Sequence, residues 1–420
     1  MTRPESSIGR TAPDRRLRIL VALPFTPRLD ARHGGRASAA LVARLAERHD
    51  LALLCLRAPD HEPVDDVLRE RCAIVEELPV KGAAPWSRPT RLLWGLVQGR
   101  PIEVVDSHHP ELTRRVRTIA SDWQPEIVHL ELERMAQYLG ALPDDRAARV
   151  LVAVEAAGAK ALDLYRASRG LQRVVRYLDL RAWRRFEPAA LRALDALVCY
   201  TERDCRILAA TVPGVAARTI PLGVEIPEEA LDPRGSEPPS VVFVGGFGHP
   251  PNVDGAVRLA GSIFPKVRPR CPNAVLYLVG DKPPREVRQL ARDGEVVVTG
   301  RVPAVEPFLH RASVVAAPLR LGGGMRVKVL EALAAGKAVV ASPRAAEGIV
   351  VSAPDSPLVV AESDEEFADA VVSLLANPAA RSALGRRARA WAEEQLDWEK
   401  TVSAYETLYA DVLGRVASRG

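Results

Sequence analysis

Residues 319–340 read LRLGGGMRVKVLEALAAGKAVV, and the fold turns on how this stretch is parsed. Three glycines, Gly322, Gly323 and Gly324, lead into a short helical pattern that stops at Gly336. A strand-like run, Ala338 to Ala341, begins just beyond it. A glycine run that opens a helix leaves the first backbone N–H groups free to face an anion, so the segment predicts a phosphate seat. At 100° per residue, Val327, Val329, Leu330, Leu333 and Ala334 form one apolar stripe, while Lys328 and Glu331 share the opposite face. Arg326 belongs at the helix mouth. Arginine and lysine beside free N–H groups suit a diphosphate, and a carboxylate suits a sugar diol. An ordinary amphipathic helix with a solvated Lys328–Glu331 pair fits the same letters.

Outward from this stretch, the second half of the chain repeats a strand and helix rhythm. Strands are predicted at Ser240–Val244, Val275–Val279, Val296–Thr299, Val314–Ala317 and Ala338–Ala341, several ending on glycine or proline. The first half opens in the same way. A buried strand over Leu17–Leu23 is followed by a loop with His33, Gly34 and Gly35, a helix over Ser38–Glu47 and a strand over Leu51–Leu56. Further strands are predicted at 127–130, 150–154 and 196–200. Residues 57–125 are proline-rich and less regular, with Trp86 and Trp94 outward-looking, and a long arginine-rich helix is predicted over 172–194. Polar residues follow the strands directly: Glu131 after His129, Glu155, and Thr201 to Asp204. Ligands of open α/β sheets bind at that edge. The resulting division is a loose tail (1–16), a first Rossmann-like domain (17–226), a linker without apolar period (227–239), a second Rossmann-like domain (240–395) and a terminal helix (396–420) packing back on the first domain. Trp391, Trp398, Tyr405 and Tyr409 read as core contacts of the terminal helices.

With 420 residues, 47% hydrophobic and 26% charged, the chain is long enough for two full cores. A net charge of +5 and 5% aromatics fit anionic small molecules or an acidic membrane surface rather than nucleic acid. Five cysteines without a CxxC pair read as reduced thiols, and no apolar run approaches a membrane span or a cleavable leader. A cytoplasmic location follows, with peripheral contact at the inner face of a membrane as an extension of it.

The runs VVFVGGFGHPPNVDGAVRLAGSIFP (241–265), NAVLYLVGD (273–281), VVVTGRVPAVEPFL (296–309) and APLRLGGGMRVKVLEALAAGKAVVAS (317–342) together resemble the family 4 glycosyltransferases. Looser echoes lie at the GGR of 34–36, DALVCYTERD (195–204) and PLGVE (221–225). The resemblance implies the GT-B architecture, α/β with two Rossmann-like domains facing across a cleft, and transfer of a sugar from a nucleoside-diphosphate sugar to a hydroxyl of a sugar, lipid-linked or small-molecule acceptor. It also implies retention of anomeric configuration. Glu331 matches the second glutamate of the family's paired motif, the one on the ribose; Gly323 stands where the first is usual. The loop Gly246 to Asn252 lacks the Arg and Lys that many members place after this strand, and Arg326 and Lys328 resemble a subgroup with a GGGxRxK mouth that supplies the cations instead.

No Asp-x-Asp motif is present, so no metal and no cofactor beyond the substrate are expected. Arg326, Lys328 and the helix N-terminus would carry the developing leaving-group charge. Gly246 and the backbone of Gly322, Gly323, Gly324 and Met325 complete the expected donor seat. On the acceptor side, His129 is the candidate base, with His33, Gly34, Gly35, Glu131 and Glu155 around it and Glu187 as a further candidate. A sugar-nucleotide epimerase of the same architecture and a non-catalytic transferase partner are the alternatives. A dinucleotide oxidoreductase is disfavoured by the lack of GxGxxG after the first strand. The arginine-rich helix and the tryptophans at 86, 94 and 183 suggest contact with an anionic membrane, and a solvated basic face is the plainer reading.

Overall fold

The computed structural model describes residues 15–30, 35–59, 61–80, 87–143, 146–235, 237–349 and 355–418. His33, Gly34 and Trp86 lie outside them, as does nearly all of the expected N-terminal tail. The chain forms two compact units. One comprises residues 1–199, 205–220 and 399–420, the other residues 200–204 and 221–398.

The first unit is built on seven strands: β1 (Arg18–Leu23), β2 (Asp50–Arg57), β3 (Ile74–Pro79), β4 (Ile127–Glu131), β5 (Ala148–Ala153), β6 (Ala196–Cys199) and β7 (Ala217–Thr219). They pair in parallel in the order β3-β2-β1-β4-β5-β6-β7. Strands buried on both faces need unbroken apolar runs, and RILVAL and DLALLCLR are such runs. One face packs Leu20, Ala22, Leu54, Val128, Leu130 and Leu151 against helices that include Pro110–Asp122. The opposite face carries His129. Its ring meets Tyr405 and Tyr409 of the helix Trp398–Ala417, both almost wholly buried. That helix is also tied to the unit through Arg48 and His49, which both reach Glu406.

The second unit has six strands: β8 (Ser240–Val244), β9 (Val275–Val279), β10 (Val296–Gly300), β11 (Val314–Ala317), β12 (Val339–Ala341) and β13 (Val359–Val360). They are also parallel, in the order β10-β9-β8-β11-β12-β13. In each sheet the chain works outward on one side and then crosses to the other. The crossing separates β1 from β4 in the first unit and β8 from β11 in the second. Crevices at such switch points, beyond the carboxyl ends of the strands, are where open α/β sheets hold ligands.

Two expectations change. The expected linker, 227–239, is strapped to the second unit. Leu231 N–H donates to the Ala335 carbonyl at 2.9 Å, the fully buried Lys337 Nζ donates to the Asp232 carbonyl, and Arg381 donates to the Arg234 carbonyl at 3.1 Å. Its polar letters signalled exposure, but the partners are backbone carbonyls that composition does not reveal. Residues 57–125 are more regular than their prolines suggest, holding β3 and helices at Asp66–Arg71, Ser87–Val97, Ile102–Asp106 and Pro110–Asp122.

Candidate functional site

The glycine stretch sits at the switch point of the second unit. β11 ends at Ala317, the loop turns through Gly322 (φ +85°) and Gly324 (φ +72°), and the helix Val327–Ala334 begins with Arg326 at its cap position. The first turn of the helix Pro250–Arg258, which follows β8, lies alongside, since a Cβ on Gly322 would fall 3.3 Å from Pro251 and 3.2 Å from a terminal nitrogen of Arg326. Position 322 therefore favours glycine for its backbone angle, and any side chain there would also push on the Arg326 guanidinium. Arg326 Nη2 also donates to the Leu321 carbonyl at 3.3 Å, which turns this side chain back over the loop.

Lys328 and Glu331 point the same way and form an ion pair at 2.8 Å, both partly exposed. Val329, Leu330, Leu333 and Ala334 bury the other side of the helix. Met325 is buried against Gly348, so only its backbone is available to a ligand. Gly246 lies on the loop after β8. Asn252 Nδ2 donates to its carbonyl at 2.9 Å, and a Cβ there would lie 3.1 Å from Asp281 Oδ1. Beneath it, a side chain on Gly280 would fall 1.8 Å from the Gly245 carbonyl oxygen, so the loops after β8 and β9 touch backbone to backbone.

Asp204 is a residue of this site that sequence reasoning did not assign. Its carboxylate is buried, accepts the Gly324 N–H at 3.1 Å and the Thr201 hydroxyl at 2.7 Å, and so pins the middle of the glycine loop. The Gly324 N–H is thereby engaged, which removes it from the backbone donors expected to face a sugar. The only sequence signal was a polar cluster directly after a strand.

In the first unit the expected acceptor-side residues separate. His129 is not at the sheet edge: it lies in mid-strand, 1% exposed, and shares a 2.6 Å hydrogen bond with the Tyr409 hydroxyl. Burial pushes its pKa down to about 4, so it is neutral and enclosed. The candidate base is therefore corrected to a structural histidine. Alternation along β4 places it on the face that the C-terminal helix covers. Glu131, two residues on, ends β4 at the β1/β4 switch point. It accepts a short hydrogen bond from Ser38 Oγ, and burial lifts its pKa to about 7. Gly35 starts the helix that carries Ser38, and a Cβ on it would lie 3.1 Å from the Thr26 carbonyl oxygen.

Glu155 pairs with Lys160 at 2.6 Å, and Lys160 also reaches Glu103 at 3.1 Å. Glu187 and Glu133 accept the Gly158 and Ala157 N–H groups at 2.8 and 3.0 Å, capping the helix Ala157–Ala167. Both carboxyls are pushed above the ordinary range, Glu187 by burial, Glu133 by burial and then by Glu187. A side chain on Gly158 would fall 2.7 Å from Glu187, so the candidate Glu187 serves as a helix cap.

Residues 238–377, one third of the chain, match the family described as Glycosyl transferases group 1. An uncharacterized glycosyltransferase of Methanocaldococcus jannaschii is 32% identical over 89 residues, a match spanning 21% of this chain and 23% of that relative. Among solved structures, sucrose-phosphate synthase from Thermosynechococcus elongatus superposes with a TM-score of 0.71 at 16% identity, covering 96% of this chain and 100% of its own. WaaG, a glycosyltransferase involved in lipopolysaccharide biosynthesis, gives 0.64 at 16% identity over 92% and 98% of the two chains. HepE of Anabaena in complex with UDP gives 0.61 at 12% identity over 94% and 100%. The chain has the fold of these GT-B glycosyltransferases, and its second unit matches the sequence pattern of the group 1 glycosyl transferases.

Proposed function

We propose that the protein transfers a glycosyl group from a nucleoside-diphosphate sugar to a hydroxyl acceptor, in polysaccharide, glycolipid or secondary-metabolite glycoside synthesis. The observation that carries this reading is the convergence of Arg326, Lys328 and Glu331 on a glycine loop at the β8/β11 switch point, inside the segment that matches the group 1 family. In this reading Lys328 and Arg326 take the diphosphate, Glu331 takes the ribose hydroxyls, and the N–H groups of Gly322 and Met325 face the sugar. Departure of the diphosphate builds negative charge, and fixed cations beside a helix N-terminus stabilise it without reorganising. Transfer is metal-independent and retaining. No acceptor-side base is assigned, because Glu131, held by Ser38, is as enclosed as His129.

The test is incubation with a panel of labelled nucleotide sugars, with UDP-sugars first because HepE was solved with UDP. Release of nucleoside diphosphate together with label on a hydroxyl acceptor supports transfer. Interconversion of the donor sugar without acceptor makes the protein an epimerase, and tight donor binding with no turnover on any acceptor makes it a non-catalytic partner.

A further inference from the structure

The first unit carries a helix, Gly170–Arg192, whose opening turns bury almost nothing. Leu171 is 87% exposed and Val174 56%, with Val175 and Tyr177 also exposed. Leu171, Val174, Val175 and Leu178 recur at i, i+3, i+4 and i+7, so they form one apolar stripe, the pattern that elsewhere faces a core. Here no core covers it. The helix Ser87–Val97 packs on the same helix and also turns bulky apolar groups outward: Trp94 is 64% and Val97 71% exposed, beside Leu93. Exposed apolar groups of this size and grouping mark an interaction surface rather than ordinary scatter.

The surrounding charge identifies what the surface meets. From Arg169 to Phe186 the sequence bears Arg169, Arg173, Arg176, Arg181, Arg184 and Arg185, against one acid, Asp179. Asp179 is buried and spends a carboxylate oxygen on the Ile102 N–H at 2.8 Å, so the helix shows arginine alone to solvent. From Lys81 to Arg100 there is likewise no acid, with Arg88 and Arg91 between them. Within these two stretches aliphatic residues and a tryptophan stand among arginines with no exposed carboxylate, the nearest acids being Glu103, Asp106 and Asp163 on the helices packed behind them, and this pattern matches an interfacial helix that sits in lipid headgroups. Trp183, which the sequence offered for this contact, is buried at 2% exposure and takes no part.

We propose that this face, carried by helices Gly170–Arg192 and Ser87–Val97, docks the protein on an anionic lipid bilayer. Arginines near such a surface are drawn to it electrostatically, and salt screens that attraction. The apolar stripe adds insertion that salt does not screen. No helix among the described residues is long and apolar enough to cross a membrane, so the contact is peripheral. Docking there would favour an acceptor held in the same bilayer.

Full-length protein is sedimented with phosphatidylcholine vesicles with and without phosphatidylglycerol. Partition at least tenfold stronger onto the anionic vesicles, weakened by salt, is expected. The variant Leu171→Ser/Val174→Ser/Val175→Ser, and separately Trp94→Ser, should each reduce it severalfold with the melting temperature unchanged. Equal partition onto neutral vesicles, no partition at all, or native-like binding by both variants overturns the proposal. So does concentration-dependent self-association that the triple variant abolishes, because the face would then belong to a second copy. No turnover enters the readout, so failure here leaves the transfer reading standing.

Discussion

Lys328 and Glu331 hold each other at 2.8 Å, and a nucleotide would have to open that pair. An i,i+3 ion pair on a partly exposed helix contributes about 0.2–0.5 kcal/mol, whereas a hydrogen bond to a charged group contributes about 1.5–3 kcal/mol, so exchange onto phosphate and ribose is favourable. Lys328→Ala is expected to lower kcat roughly 10²-fold or more, with Arg326→Ala comparable, in a steady-state assay with saturating donor. Glu131 sets a pH dependence. Its folded pKa, about 7, lies above the ordinary carboxyl value of 4.5, so the native state holds the proton more tightly between the two. Stability from this group is full below pH 4.5 and is lost as pH rises through 7. His129 works in the opposite sense, its depressed pKa removing stability as pH falls from 6.5 toward 4. Glu131→Gln should therefore gain stability relative to the native chain between pH 5 and pH 8, on the order of 3 kcal/mol at full shift, read from denaturant melts; an unchanged difference across that range would contradict it. The spacing of Lys328 and Glu331 was legible because a helix imposes it. Asp204 was not, because its bond to Gly324 joins residues 120 positions apart.

Among the elements, the central strands announce themselves, as does the edge strand β10, while the other three edge strands do not. β9 and β11 match the predicted spans because their residues are enclosed by the sheet and its covering layers, which demands an unbroken apolar run. Periodicity does not predict β3, β7 and β13. They lie at sheet edges, and IVEELP, ART and VV are polar or very short. The glycine loop is held from two sides, by Asp204 below Gly324 and by Pro251 beside Gly322. Asp204→Ala removes a charged acceptor and leaves Gly324 N–H and the Thr201 hydroxyl without it, so nucleotide Kd should rise about tenfold or more, measured by calorimetry. Gly322→Ala should weaken nucleotide binding as well, since φ of +85° is costly for alanine and the added methyl meets Arg326. Native-like affinity in both variants would mean that loop geometry does not matter to the site.

Taken entire, the protein is two parallel-sheet units, each with a switch-point crevice, and the chain returns at its end to the first of them. Val402, Tyr405, Leu408, Tyr409 and Val412 are all buried, and Glu406 meets Arg48 and His49. Ending the chain at Trp398 would uncover His129 and part of one face of the first sheet, so the first unit should lose its cooperative melt while the second retains one, as differential scanning calorimetry would resolve. That return was legible as aromatic spacing in the terminal helix, whereas the surface it covers was not, because His129 read alone looks like a base at a strand end. Everything proposed for catalysis depends on the glycine stretch being a nucleotide-sugar donor seat, and calorimetric titration with UDP, GDP and ADP probes that seat without any assay of turnover. At least one of them is expected to bind the native protein, and Lys328→Ala and Glu331→Ala should each weaken that binding about tenfold or more. Failure of all three to bind, or equal binding by the native protein and both variants, would contradict it.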